Sequence, residues 1–425
     1  MNEPHTIVIG GGLAGLTAAA TLARAGRPVT VLEAGEHLGG RARTRRRDGF
    51  DLNLGPHALY RLGGGRDVLR ALGVRVSGRM PRIHRAAFVA GDGVVPGLDH
   101  LRRTVGERGR VLRALTGLGA GDADSWAGRR AREWIDSAVE TPEGRAVVES
   151  TLRTATYTAD HGLLDAGAAG RQLRLAVHGV LYLHGGWASL VDGLSDAVRA
   201  AGGQIRTRAA VEAVEHDTRV RSVRLADGTA IAADAAIVAV NDPHRVAALL
   251  DGPGAAAAER ATEGAVPVRM AHLDLALRPL PEPRLANVLG IDEPIYLSVQ
   301  SDVARVAPPG GASINVGRYL RPGEEDGDHR PGIAHFLDVV QPGWQDHVID
   351  ARYVPRSMVC GDHARAATRG TLDRPDVGLA GVDGLAVAGD WVGPAGTLAD
   401  AAILSGRAAA SAIMETAMSA TPITA

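Results

Sequence analysis

This sequence of 425 residues is poor in the residue types that several protein classes need. It has one cysteine, Cys360, which excludes an intramolecular disulfide and favours a reducing compartment. Aromatic residues make up only 3% of the chain, and the formal net charge is −1. Because few rings are available for base stacking and no excess charge attracts an anionic partner, we expect no nucleic-acid binding.

Lysine and long apolar runs are also absent. All 47 basic residues other than histidine are arginine, which excludes Schiff-base chemistry and a lysine base. No stretch approaches the roughly 20 apolar residues of a spanning helix, and the N-terminus shows no signal-peptide pattern. We therefore expect a cytoplasmic protein, with no metal ligands assigned.

Residues 99–118 leave a second localisation open, which is peripheral contact with a membrane. Apolar residues recur there at helical spacing beside arginines, a pattern also typical of a helix that packs on its own domain. The residues concerned are Leu101, Val105, Leu112 and Leu115, flanked by Arg102, Arg103, Arg110 and Arg113.

The most informative segment that is present runs from Thr6 to Gly15. It is a Gly-x-Gly-x-x-Gly turn between an apolar strand and a helix of small residues. Gly10 permits the tight turn, Gly12 lets the backbone approach a pyrophosphate, and Gly15 allows close packing of helix and strand. The free N–H groups at the helix N-terminus favour phosphate. This motif predicts dinucleotide binding.

A second apolar strand, 29–32, ends at Glu33. An acid about 20 residues after such a glycine turn can accept hydrogen bonds from ribose hydroxyls. The motif alone does not distinguish FAD from a nicotinamide dinucleotide.

Strand and helix patterns that suit a dinucleotide fold recur in the middle and at the end of the chain. The middle block begins at 184 with a helix predicted over 190–200 and several strands. The final block has a buried strand over 385–390 and a small-residue helix from Leu398 to Met414. Residues 65–180 show mostly helical periodicity, and 255–360 suggest strands joined by proline-rich loops.

Four motifs in this order resemble the FAD-dependent superfamily that contains amine oxidases, phytoene desaturases and protoporphyrinogen oxidases. They are the opening turn with Glu33, the Gly39–Arg43 segment, the block from His184 to Asp234, and Gly389-Asp390 with Gly396-Thr397-Leu398. The resemblance is faint over 65–180 and 255–360. It implies an α/β fold, with a Rossmann-like FAD-binding domain assembled from three chain segments and an interleaved α+β substrate (cap) domain. The expected boundaries are 1–64, 184–250 and 361–425 for the FAD-binding domain, and 65–183 and 251–360 for the substrate domain.

The resemblance also implies the positions that contact FAD. The arginine of the second motif, Arg41, lies by the pyrophosphate in this family, and Val211 matches a position whose backbone meets adenine. Asp390 would accept from a ribityl hydroxyl, and the N–H groups that open the Leu398 helix would face the flavin pyrimidine ring. The full expected set is Gly10, Gly12, Leu13, Ala14, Gly15, Glu33, Ala34, Gly39, Gly40, Arg41, Ala42, Leu54, Gly55, Pro56, His57, Val211, Gly389, Asp390, Gly396, Thr397 and Leu398.

The resemblance favours a desaturase-like activity. Amine oxidases of the superfamily commonly use a lysine near flavin N5 and an aromatic residue in the last helix, where this chain has Thr397-Leu398-Ala399. We therefore expect hydride transfer from a C–C or C–N bond of a mostly apolar small molecule to flavin N5, with oxygen or a quinone as acceptor. Amine oxidation with release of hydrogen peroxide and redox-neutral isomerisation stay open as alternatives.

Several side chains are candidates for the substrate half of the site. His57 and His184 are candidate bases for proton handling. His57 is also a candidate for substrate contact, and its alternative interpretation is a loop histidine bonded to backbone. Candidate substrate residues are Tyr60, Trp187 and Trp391, with Tyr296, Tyr319 and Trp344 as further aromatic candidates.

Cys360 lies a similar distance before Asp390 as the flavin-linking cysteine of monoamine oxidases, yet its surroundings differ. We expect non-covalent FAD rather than a cysteine link. Functions of other classes also stay open: an escort protein that has lost flavin, and a nicotinamide-dependent dehydrogenase. A homo-oligomer is compatible with the sequence.

Overall fold

The computed structural model describes residues 5–96, 105–120, 123–378 and 381–419. Within these residues, no helix combines the length and apolar character needed to cross a bilayer. In the segment proposed for membrane contact, Leu101, Arg102 and Arg103 fall outside the described residues. The helix itself is present over Val105–Ala120.

The described residues form runs of strands and runs of helices as well as alternating strand–helix units. The strands are β1 Thr6–Ile9, β2 Val29–Leu32, β3 Thr44–Arg47, β4 Phe50–Asn53, β5 Leu59–Tyr60, β6 Gly78–Arg79, β7 Ala86–Ala90, β8 Gly93–Pro96, β9 Val180–Leu183, β10 Gln204–Arg206, β11 Val211–His216, β12 Val220–Leu225, β13 Ala230–Ala232, β14 Ala235–Val238, β15 Val268–Leu277, β16 Asn287–Gly290, β17 Ile295–Val299, β18 Ala312–Leu320, β19 Val348–Cys360 and β20 Leu385–Val387. The helices are α1 Leu13–Arg24, α2 Gly64–Ala71, α3 Val105–Ala120, α4 Ala131–Ala138, α5 Pro142–Thr156, α6 Ala166–Val177, α7 Ala188–Ala200, α8 His244–Ala247, α9 Gly252–Thr262, α10 Arg330–Val340 and α11 Leu398–Ser419.

A five-stranded parallel sheet in the order β10-β2-β1-β14-β20 forms the first layer. Its strands come from the N-terminal, middle and C-terminal parts of the chain, and β1 pairs with both β2 and β14. Each central strand is buried on both faces, as its unbroken apolar sequence requires. Helices α1, α7 and α11 cover one face, with Leu16, Leu22 and Ile403 in that core. The α/β fold assembled from three chain segments is confirmed.

A seven-stranded mixed sheet in the order β19-β15-β18-β17-β16-β7-β8 forms a second layer. Its long strand β15, between β19 and β18, alternates between two environments. Ala271 and Leu275 face a core that α10 completes, whereas Met270 contacts a cluster of tyrosines on the opposite face. The helices α3 to α6 build a separate apolar core around Trp134 and Leu152.

The structure differs from the sequence expectation within both of the outer regions. Residues 78–96 form β6, β7 and β8, although 65–180 had a mostly helical pattern. The region 255–360 contains α10, Arg330–Val340, whose proline is its second residue, where a missing N–H costs nothing. The last helix extends to Ser419 rather than Met414.

Candidate active site

A cavity of about 510 Å³ lies at the carboxyl edge of the parallel sheet. The residues that directly follow three of its strands line this cavity: Gly10 after β1, Glu33 after β2 and Ala239 after β14. Gly389, two residues beyond the end of β20, lines it as well. Ligands of open α/β sheets bind at this edge, because the loops there diverge and leave a crevice.

Most of the residues predicted to contact a dinucleotide line this one cavity. They are Gly10, Gly12, Leu13, Ala14, Glu33, Ala34, Gly39, Gly40, Arg41, Ala42, Leu54, Gly55, Pro56, His57, Val211, Gly389, Asp390 and Leu398. Residues separated by almost the whole length of the chain thus meet around a single volume, as the three-segment assembly requires.

Three predicted contact residues lie outside the cavity wall. A Cβ at Gly15 would stand 1.9 Å from the Gly10 carbonyl oxygen, so Gly15 serves the packing of α1 on the turn. The Gly396 carbonyl accepts from Arg374 at 3.2 Å, and the Thr397 hydroxyl donates to Gln172. These residues shape the entry to α11 rather than the cavity surface.

The structure also removes two candidates from the substrate half of the site. The His184 ring is outside the cavity, and its Nδ1 accepts from the Arg305 N–H at 3.0 Å. Trp391 is packed in the core beneath the sheet, with its indole N–H donating to the Val240 carbonyl at 3.3 Å. Both residues were candidates because each is adjacent to a motif in the sequence. Adjacent residues on a strand or turn point to different sides, so a neighbour of a motif residue need not face the cavity.

The further aromatic candidates have different positions. Tyr296 and Tyr319 pack behind the cavity with Tyr157 and Met270. Trp344 lies at the far side of the second sheet, where its indole N–H donates to Asp338 at 2.9 Å.

Glu33 is fixed by the backbone around it. One of its carboxylate oxygens accepts from the Gly11 N–H at 2.8 Å, and the other accepts from the Gly35 N–H at 2.7 Å. Each carboxylate oxygen has a further lone pair, so the side chain can still accept from ribose hydroxyls. A Cβ at Gly12 would meet nothing within 4 Å and would project into free space. This open cradle fits a pyrophosphate.

Arg41 and Asp390 form an ion pair in the cavity wall. The Arg41 guanidinium donates to Asp390 Oδ2 at 2.6 Å and to the Val359 carbonyl at 2.7 Å. The second oxygen of Asp390 accepts from the Gly361 N–H at 3.2 Å. The Asp390 side chain is 2% exposed and that of Arg41 is 30% exposed. This contact ties the first segment of the chain to the last.

A polar network holds the loop that carries His57. The Asn53 amide donates to Gln300 at 2.6 Å, and the Gln300 amide donates to the His57 carbonyl at 3.1 Å. The His57 Nδ1–H donates to the Gly55 carbonyl at 2.9 Å. Burial lowers the pKa of the His57 imidazole, so the ring is neutral at physiological pH. Its ring centroid lies 4.9 Å from that of Trp187.

Tyrosines dominate the opposite part of the wall. Five of the six tyrosines in the chain are buried in this region, and Tyr60 and Tyr157 line the cavity. The Tyr60 hydroxyl donates to the Ala155 carbonyl at 2.7 Å. Burial raises the pKa of both phenols, which therefore stay neutral. With Met270 and Leu398 they give the cavity an apolar, aromatic end.

Asp400 is a buried carboxylate in the first turn of α11 that also lines the cavity. One oxygen accepts from the Gly65 N–H at 3.1 Å and so caps α2. The other oxygen has no partner among the described residues. Burial raises the pKa of Asp400 from 3.8 to about 6. Above that pH, the ionised and buried Asp400 carboxylate therefore lowers the free energy of unfolding.

We expect Asp400→Asn to stabilise the FAD-free protein at pH 8 and to have little effect at pH 4. The folded pKa is raised, so the unfolded chain ionises first as pH rises, and stability is lost between about pH 4 and 6. This rise in the pKa of Asp400 corresponds to a loss of about 3 kcal/mol at most in the free energy of unfolding. Urea unfolding at both pH values measures the difference. Asp67→Asn, at an exposed site in α2, is the control, and equal effects of the two variants at pH 8 would contradict the assignment.

The sequence did not reveal several residues that the structure brings to the cavity. His272, Met270, Tyr157, Arg352 and Asp400 all line it. An alternating strand pattern predicts that polar residues such as His272 on β15 face solvent. The second buried face of this strand becomes visible only when the two sheets are assembled.

The fold and this cavity define an α/β protein of the class that binds FAD across three chain segments. The family model described as flavin containing amine oxidoreductase matches residues 13–276, more than half of the chain. The chain therefore belongs to this family of flavin-containing amine oxidoreductases.

Individual proteins are similar to this chain either in sequence over a short segment or in structure over nearly its whole length. L-amino acid oxidase Cdc18 of Crotalus durissus cumanensis is 53% identical over 58 residues, which are 14% of this chain and 12% of that protein. The chain thus matches only about an eighth of the length of its curated relatives. An oxidoreductase from Methanosarcina mazei superposes with a TM-score of 0.76 at 20% identity, over 97% of this chain and 100% of the other. A putrescine oxidase bound to putrescine gives 0.70 at 14% identity, over 97% and 99%. These structures establish the shared fold.

Proposed function

We propose that this protein is a dehydrogenase or desaturase-like enzyme that takes hydride from a C–C or C–N bond of a mostly apolar small molecule. One observation carries the proposal: a single cavity joins the predicted dinucleotide-binding elements to an aromatic end formed by Tyr60, Tyr157 and Met270. Such a wall excludes water and holds an apolar C–H bond beside a cofactor.

The residues present fit FAD. The open cradle at Gly12 and the N-terminus of α1 would hold the pyrophosphate, Glu33 the ribose, and Val211 the adenine. Asp390 and the start of α11 would serve the ribityl chain and the flavin ring. The indole N–H of Trp187, buried in the cavity wall, has no partner among the described residues and is available to a ligand. Bound FAD would supply the hydride acceptor at N5.

The protein's own groups bind, orient and exclude water. The neutral tyrosines add no charge to the aromatic end, and the network through Gln300 fixes the loop that carries His57. The neutral ring of His57, held by its hydrogen bond to Gly55, lines the cavity and can contact the substrate there.

Non-covalent attachment of FAD is part of the proposal. Burial raises the pKa of the Cys360 thiol to about 12, and the sulfur donates to the Asp362 carbonyl at 3.2 Å. A thiol in this state does not act as a nucleophile, because the thiolate is the reactive form. We expect acid precipitation of the yellow protein to release all flavin into the supernatant. Flavin retained in the pellet of the wild type, and released from Cys360→Ser, would contradict this.

The decisive experiment is anaerobic reduction of the FAD-loaded protein by a compound library, followed by the loss of absorbance at about 450 nm. Apolar molecules with an activated C–H bond are expected to bleach the flavin, and readmission of oxygen or addition of a quinone identifies the acceptor. A protein that binds NAD and never holds FAD would overturn the proposal.

Amine oxidation is the second candidate, because the family description and the short identity to an L-amino acid oxidase favour it. Bleaching by amines alone, with hydrogen peroxide released in air, would replace the first proposal with this one. Product formation from a library compound with no net loss of absorbance would instead indicate the isomerase alternative.

A further inference from the structure

We propose that His272, oriented by Asp274, is the proton acceptor of this site. The inference rests on the proposed function, since it assigns the proton that leaves the substrate when a hydride is removed. Neither residue was a candidate from the sequence, and both belong to β15, which lies between β19 and β18 in the second sheet.

Asp274 is built to hold an imidazole in one orientation. It is 1% exposed, and its Oδ1 accepts from His272 Nδ1 at 3.2 Å and from the Asn315 amide at 2.7 Å. Both of its oxygens also stand 3.2 Å from the Gly55 N–H. Because Asp274 accepts all of these hydrogen bonds, it fixes Nδ1 as the protonated nitrogen of His272.

The other ring nitrogen of His272 is free to act. Among the residues that the structure describes, none forms a hydrogen bond with Nε2, although the ring is only 2% exposed and lines the cavity. A Cβ on Gly55 would lie 3.3 Å from Nε2, so the ring edge lies directly against the segment that carries His57. The same geometry occurs where an imidazole base is oriented by a third group: a buried carboxylate contacts one ring nitrogen, and the other nitrogen is an open acceptor.

The groups that face His272 come from each element packed against it. Asp274 on its own strand is the negative group. On β19, Val354 is its cross-strand neighbour, and Arg352 stands opposite Asp274. On β18, Gly317 and Asn315 add no charge. The loop contributes His57, whose ring is neutral. Asp274 and Arg352 are thus the charged residues at these register positions of the three strands.

In the proposed step a substrate H–C–X–H, with X carbon or nitrogen, loses the hydrogen on carbon to FAD as hydride, which carries the C–H electron pair. The proton on X passes to His272 Nε2, and the X–H electron pair becomes the C=X bond. The imidazolium then loses this proton to water when the product leaves.

The test uses three variants of the FAD-loaded protein. His272→Asn retains an amide donor for Asp274 and removes the acceptor at Nε2, so a purely structural role of His272 is preserved. Asp274→Asn removes the charge that fixes the tautomer. His335→Asn alters a second His–Asp pair, His335–Asp92, whose side chains are 65% and 84% exposed, and serves as the matched control. Far-ultraviolet dichroism and flavin content verify that each variant is folded and loaded.

The first readout needs no substrate: it is the number of protons taken up when two electrons are placed on FAD with dithionite. It is obtained from the slope of the midpoint potential against pH over about pH 6 to 9. Negative charge on the cofactor favours a protonated imidazole beside it. We expect the wild type and His335→Asn to take up one proton more than His272→Asn within part of this range.

The second readout is the tautomer of His272, from nitrogen chemical shifts in protein labelled with ¹⁵N-histidine. The Nδ1–H form is expected in the wild type, and a change of tautomer is expected in Asp274→Asn. Equal proton uptake in His272→Asn and the wild type would overturn the proposal, as would an Nε2–H tautomer in the wild type. A protein that never holds FAD would overturn the proposed function as well, whereas these two results leave it standing.

Discussion

Gly12→Val is expected to give a folded protein that contains no FAD. The Cβ added at this position meets no protein atom within 4 Å, and the backbone there is extended with φ of −81° and ψ of −177°. A branched side chain is therefore tolerated by the fold and fills the cradle in which a pyrophosphate would lie. Absorbance at about 450 nm, together with titration of the purified protein with FAD, measures the loss.

Two further glycines separate loss of the cofactor from loss of the fold. Gly15→Ala places a Cβ 1.9 Å from the Gly10 carbonyl oxygen, and we expect it to misfold. Gly109→Ala, on α3 where nothing lies within 4 Å, should retain both FAD and stability. If Gly12→Val binds FAD as the wild type does, the cavity is not the cofactor site.

The second large effect is expected for the Arg41–Asp390 pair. Arg41→Ala leaves the Asp390 carboxylate buried at 2% exposure with the Gly361 N–H as its remaining hydrogen-bond donor among the described residues. Removing one partner of a buried ion pair costs about 3–5 kcal/mol. We therefore expect a loss of that order in the free energy of unfolding, measured in urea on FAD-free protein at pH 7.

Matched variants identify the source of that loss. Arg41→Ala combined with Asp390→Asn should recover much of the stability, because no unpaired ion then remains in the interior. Arg221→Ala breaks the exposed pair with Asp217 and should cost at most about 1 kcal/mol. If Arg41→Ala costs no more than Arg221→Ala, the pair does not stabilise the fold.

Short sequence motifs were sufficient to nominate the residues in the part of the cavity that is expected to bind a dinucleotide. The turn from Gly10 to Gly15, the strand that ends at Glu33 and the Gly389-Asp390 segment each carry their chemistry in adjacent residues. Their convergence follows from the resemblance to a family with a known strand order. The structure confirms the resulting fold class, whereas the expected domain boundaries stay predictions.

The substrate half could not be predicted in the same way, because its wall comes from tertiary contacts. Tyr157 follows α5, His272 lies in the middle of β15, and Asp400 opens α11. No spacing in the sequence links these residues. His184 and Trp391 show the opposite case. Each is adjacent to a motif in the sequence, but its side chain lies outside the cavity.

The central position of β1 in the parallel sheet has a consequence for biosynthesis. One neighbour, β2, is synthesised soon after it, but the other, β14, follows some two hundred residues later, and β20 later still. Pairings of such long sequence separation form slowly. A ribosome that has made the glycine turn has therefore made only one wall of the binding site, and a nascent chain cannot acquire its prosthetic group until translation has passed the last strand.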